Sequence, residues 1–130
     1  MALDPNAVSG LLAALDYDDV YVRITAAEAL GKIGNPIAIG RLFDTFSDTR
    51  PDVRRRVVKA LERIAVEPKA RAASQTVPGL AGALRDADVS VRWAAEMALR
   101  RINTTAARQA LAEWEAEMPS PRDLRSAPLP

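Results

Sequence analysis

The side chains able to do chemistry in this chain are arginines and carboxylates. Its 130 residues include no cysteine and no histidine. That removes the thiolate nucleophile, the disulfide, the usual soft metal ligands and the commonest proton carrier near neutral pH. What remains is 18 Lys+Arg against 17 Asp+Glu, and part of it is ordered. Arg23, Arg54 and Arg92 each follow a valine and stand close after the turn acids Asp19, Asp48, Asp86 and Asp88. A planar guanidinium can bridge carboxylates and turn carbonyls of neighbouring segments. The set therefore predicts a structural ladder along the molecule rather than a reaction centre. No phosphate-binding glycine motif occurs, and the carboxylates fall at turn and surface positions. Neither a catalytic group, a metal nor a cofactor is expected.

The elements that position these arginines repeat. Val-Arg recurs at 22, 53 and 91, in steps of 31 and 38 residues, and other columns keep the same steps. Val8, Ile39 and Val77 align, as do Leu11, Leu42 and Leu80, then Leu15, Phe46 and Leu84. After each Val-Arg come Ala29-Leu30, Ala60-Leu61 and Ala98-Leu99, then Ile33, Ile64 and Ile102. Within a unit, Val8, Leu11, Leu12 and Leu15 have helical spacing, and so do Val22, Ala26, Ala29, Leu30 and Ile33. Each unit reads as two amphipathic helices parted by acidic turns, with Gly34-Asn35-Pro36 ending one unit and Pro51 suiting a first helical turn. Strand alternation is absent from the pattern.

The segment from Leu84 to Leu99, and its counterpart through Ala29 to Gly34, resemble HEAT-like repeats of the phycobilin-lyase type. The resemblance implies an all-α fold, an α-solenoid: a right-handed superhelix of three helix pairs, near 5–34, 36–65 and 76–103, plus a capping helix over 105–117. A domain over 1–117 and a Pro-rich tail over 118–130 follow. The seven extra residues of the second step fall within Val66–Thr76, as a longer loop or an added helical turn. The second repeat carries Arg50 where the third has Asp88, and Arg56-Val57-Val58 where such repeats prefer small residues, so locally irregular packing is expected in that repeat.

In solenoids of this kind the second helices line the concave face, the usual binding surface. The columns outside the buried stripe read Ile24, Arg55, Trp93, then Glu28, Lys59, Met97, then Gly31, Glu62, Arg100. Trp93 and Met97 beside Arg55, Lys59 and Arg100 have the composition of a protein-binding hot spot. Packing of Trp93 beneath the Val66–Thr76 insertion is the alternative. Charge is uneven: residues 1–47 are net acidic, whereas Arg50, Arg54, Arg55, Arg56, Lys59, Arg63, Lys69 and Arg71 make the next stretch basic. A solvated face accounts for that, as would an acidic protein or a nucleic acid partner. The mild pI of about 8.1 and the interrupting Glu28, Glu62 and Glu96 weigh against nucleic acid.

The first helix carries no charge between Asp4 and Asp16. Ala7, Gly10 and Ala14 lie away from its leucine stripe, which predicts a secondary contact there with a second copy or another subunit. In the tail, Leu124 and Leu129 could insert into a neighbour. No apolar run approaches the ~20 residues that span a bilayer, and residues 1–6 lack the layout of a signal peptide. The expectation is a cytoplasmic, non-catalytic adaptor, assembly factor or accessory subunit binding another protein. A bilin- or phycobiliprotein-binding subunit of a lyase, whose propionate contacts would be Arg55, Lys59 and Arg100, is the alternative that the resemblance implies.

Overall fold

A computed structural model describes the backbone of residues 5–66 and 70–118, and the side chains of 7–66 and 72–118. These residues form helices and turns, with no strand among them. In chain order they are α1 (Pro5–Ala14), α2 (Val20–Ile33), a 3-10 turn at Pro36–Ala38, α3 (Ile39–Asp44), a second 3-10 turn at Thr45–Ser47, α4 (Pro51–Val66), α5 (Ala70–Ala83), α6 (Val89–Ile102) and α7 (Thr105–Glu117).

Local chemistry sets the helix ends. The Asp19 carboxylate accepts from the Tyr21 N–H at 2.8 Å, Asp88 accepts from Ser90 and Val91, and the Thr104 hydroxyl accepts from Ala107. Each satisfies donors that a helix start leaves open. At the other end Gly34 adopts φ 73° and donates to the Leu30 carbonyl, and Asn103 adopts φ 50° and donates to that of Leu99. A left-handed residue there turns the chain and closes the last carbonyls.

The architecture is an α-solenoid of two layers. Helices α2, α4 and α6 lie side by side in one layer, and α1, α3, α5 and α7 cover their other side. Starts meet starts and ends meet ends: Arg54 reaches Asp86 ahead of α6, while Glu62 reaches Arg101 near its end. The second helices therefore run parallel. Central α4 is buried deepest, with Val53, Val57, Val58, Leu61 and Ile64 wholly enclosed. Leu30 and Leu99 are equally enclosed on its two neighbours, whereas Val22, Ile33 and Ile102 at the ends of the stack are only half-buried. Each enclosed aliphatic side chain contributes about 1.5–3 kcal/mol, so most of the burial energy is held between neighbouring repeats.

Gly31 decides how closely α2 approaches α4. A Cβ there would stand 2.8 Å from the Ala60 Cα, a separation that the pair could not keep. Gly31 is buried, although its column, shared with Glu62 and Arg100, reads as exposed in the sequence.

The second unit is irregular as expected, although not at Val57 and Val58, both of which are fully enclosed. The irregularity falls in the first helix of that unit, which is cut to the six residues of α3 between two 3-10 turns. The added residues before the third unit are helical from Ala70, so α5 starts ahead of residue 76 and holds Pro78 in its interior. Ala70, Ala72 and Ala73 favour that extension.

Candidate functional site

The arginine ladder is built in full over two steps. Arg23 donates from Nε to Asp48 Oδ2 at 2.7 Å and from Nη2 to Oδ1 at 3.4 Å, while its Nη1 holds the carbonyls of Tyr17 and Asp18. Arg54 repeats the pattern one unit on: Nε and Nη2 meet Asp86 at 2.9 and 3.1 Å, and Nη1 meets the Asp48 carbonyl at 2.7 Å. These side chains are only 9–14% exposed. Two-pronged, charge-assisted bonds of this kind fix one repeat's turn against the next. Asp19 takes no part in the ladder, being the cap of α2. Among the described residues, the Arg92 side chain holds only turn carbonyls.

The expected binding residues do not form one patch. Ile24 packs half-buried against the core. Arg55 is bound to Asp52 and to the Ser90 hydroxyl, and Ser90 in turn donates to Asp88. That hydroxyl, with the Ser90 and Val91 N–H groups, holds the Asp88 carboxyl below its ordinary range. Arg100 is shared between Glu96 at 2.9 Å and Glu115 at 3.1 Å, which raises its already high pKa. Trp93 is 63% exposed, so it is not covered by the residues around the insertion, and Met97 one turn on is half-buried. On α1, Ala7 and Gly10 are exposed and Ala14 packs against the core. Leu124 and Leu129 lie outside the described residues, as do the side chains of Lys69 and Arg71.

What the helices do bring together is a groove of about 350 Å³ across the second-helix layer. Its walls are Glu28 and Lys32 of α2, Arg56, Lys59, Glu62, Arg63 and Val66 of α4, and Arg101 of α6, over a floor at Ala60. Both carboxylates are engaged, Glu28 with Arg56 at 3.7 Å and Glu62 with Arg101 at 2.9 Å. Lys32, Lys59 and Arg63 have no such partner among the described residues. Lys32 and Arg63 stand in the last turns of α2 and α4, where the negative helix ends favour cations. Glu28 and Lys59 are expected contact residues that the groove includes. Lys32, Arg56, Arg63 and Arg101 are additions. Their signal in the sequence is the column 32/63/101, basic in all three units.

Repeated helix pairs, a shared buried stripe and an arginine ladder across unit boundaries together specify a repeat family. A family model for HEAT repeats matches residues 8–73 and 42–127. The chain belongs to the HEAT-repeat family. HEAT repeats as a class mediate contacts between proteins, and the match is to the class as a whole, broader than the phycobilin-lyase type. No curated protein matches the chain. The basic groove lies on the second-helix layer of this HEAT-repeat protein. No described helix is long and apolar enough to cross a membrane.

Proposed function

We propose that the chain is a non-catalytic, cytoplasmic interaction module, an adaptor or accessory subunit, that holds an acidic segment of a partner protein along its second-helix face. The observation that carries this reading is the trio Lys32, Lys59 and Arg63, gathered on one groove without carboxylate partners among the described residues. Each is exposed, so each stays hydrated until a partner arrives and adds little to folding. Ionic contacts of this sort steer association and fix register, and salt weakens them. Trp93 and Met97 extend the face with apolar surface.

The test is fluorescence anisotropy with a labelled oligo-glutamate peptide. Binding should weaken as salt rises, and Lys59→Glu with Arg63→Glu should abolish it while the melting temperature stays put. Equal binding of the peptide by that double variant would remove the reading, and preference for duplex DNA over peptide would replace it. The bilin-holding alternative asks for cations free to meet propionates; of Arg55, Lys59 and Arg100, only Lys59 is without a carboxylate partner among the described residues. A visible-range titration with bilin that leaves the absorbance band unshifted would dispose of it. Self-association through Ala7 and Gly10 is checked by light scattering at rising concentration.

A further inference from the structure

Helix α2 carries on its outer side the columns that α4 and α6 use to meet the helix before them. On α4, Ala60 lies under Gly31 of α2 and Arg56 reaches Glu28. On α6, the Ser90 hydroxyl accepts from Arg55 of α4 and Arg101 reaches Glu62. The same columns on α2 hold Tyr21, Thr25, Ala29 and Lys32, with Val22 as the counterpart of Val53 and Val91. Within the stack these positions are closed: Val53, Val91 and Ala98 are wholly enclosed and Ala60 is 2% exposed. On α2 they are open, with Val22 and Ala29 half-buried, Thr25 and Lys32 exposed, and Tyr21 75% exposed. The outer face of a stack is ordinarily polar. The onward face of α6 obeys that rule, since Arg92, Glu96 and Arg100 stand where α2 carries Arg23, Ala27 and Gly31.

We propose that the outer face of α2 binds the same face of a second copy, the two α2 helices lying antiparallel across a two-fold axis at Thr25. Charge selects this occupant. Head-to-tail stacking would press Val22 and Ala29 onto α6, where Arg100 is held by Glu96 and Glu115. Stripping water from that network without new donors is costly. Like faces fit instead, because the charges of α2 are placed about its middle. Asp18 and Asp19 precede Thr25 by seven and six residues, and Lys32 follows it by seven, about 10 Å along the helix on either side. An antiparallel pair therefore sets Lys32 of each copy beside the two acids of the other. None of the three has an ion pair among the described residues. Asp19 caps α2 through one carboxylate oxygen, Oδ1. Val22, three residues before the axis, comes opposite Ala29, four after it, a larger side chain against a small one. Isologous pairing of one patch with itself closes a dimer and leaves no open end. Lys59 and Arg63 stay with the groove.

Sedimentation of the full chain tests this. The mass should climb from 14.0 kDa toward twice that value over about a hundredfold rise in concentration. Thr25→Arg and Lys32→Glu, both at exposed positions, should each weaken association at least about tenfold while the melting temperature of the dilute protein stays put. Cross-linking reads the geometry, since the chain has no cysteine of its own. Thr25→Cys should form a disulfide with itself on oxidation, because residues on the axis come within the roughly 4.4–6.8 Å between Cα atoms that the bond requires. Lys32→Cys should not link to itself, yet should link to Asp18→Cys when the two variants are mixed. Gln109→Cys, exposed on α7, is the control and should stay monomeric. A mass fixed at 14.0 kDa with no Thr25→Cys dimer would overturn the proposal. So would self-linking of Lys32→Cys, which means parallel helices, or linking of Gln109→Cys as ready as that of Thr25→Cys.

Discussion

At the scale of single residues, the ladder and the groove contain the same side chain used for opposite ends. Arg54 is 12% exposed and meets a carboxylate that is 11% exposed. Removing it strands Asp86 in a site that has little water to replace the lost donors. Arg54→Ala should cost about 2–3 kcal/mol in a urea titration, whereas Arg63→Ala, at an exposed position without a partner among the described residues, should stay within about 0.5 kcal/mol. Arg54→Lys should recover only part, since an ammonium cannot span both carboxylate oxygens. A second residue-scale prediction concerns acid. The Arg85 guanidinium holds the Glu117 carboxyl below its ordinary range and is itself raised in return. Glu117 thus favours folding fully above the unfolded carboxylate value, about 4.3, and that contribution is lost as pH falls through the lower folded value. Glu117→Gln should therefore melt below the wild type at neutral pH, and the two melting temperatures should converge as the pH is taken below the lowered folded value.

At the scale of elements, the α2–α4 contact depends on a missing Cβ. Gly31→Ala gains helix propensity of about 1 kcal/mol but places a methyl 2.8 Å from the Ala60 Cα, with the Ala60 Cβ at 3.1 Å. Backbone cannot swing aside as a flexible side chain can, and overpacking of this kind costs about 1–3 kcal/mol. The net effect should be destabilising. Gly10 on α1 is the control, since a Cβ there meets nothing within 4 Å. Gly10→Ala should stabilise by about 0.5–1 kcal/mol, and the pair of opposite shifts is read by thermal denaturation. These helices differ in how legible they are from sequence. Leu30, Leu61 and Leu99 reveal their helices because burial repeats at helical spacing and again at the unit length. Gly31 does not reveal its contact, because a column containing Glu62 and Arg100 reads as a solvated one. The start of α5 is hidden for another reason: Ala70, Ala72 and Ala73 favour a helix without marking a face. Which cations of the second-helix layer are paired depends on the register between helices, and spacing along one chain does not carry it.

At the scale of the whole molecule, each repeat gains its core from its neighbours, so stability is a sum of repeat and interface contributions along one direction. Helix α4 has a second helix on each side, α2 and α6, and is also covered by α3 and α5. Among the described residues the cap α7 rests mainly on α5 and α6. Leu61 is wholly enclosed at the centre, while Leu111 is 6% exposed at the edge. Truncation at the centre removes contacts on both sides and leaves a cavity that flanking helices cannot collapse, whereas the cap can resettle. Leu61→Ala should cost about 3–5 kcal/mol and Leu111→Ala about 2. Hydrogen exchange should separate them further. With Leu61→Ala the protection of α2, α4 and α6 should fall together, because loss of the shared helix uncouples both interfaces. With Leu111→Ala the loss should be confined to α7 and the adjoining faces of α5 and α6, a local opening that leaves α2 protected. Equal loss over the whole chain in both variants would mean that the stack unfolds as one unit, with no interface weaker than the rest.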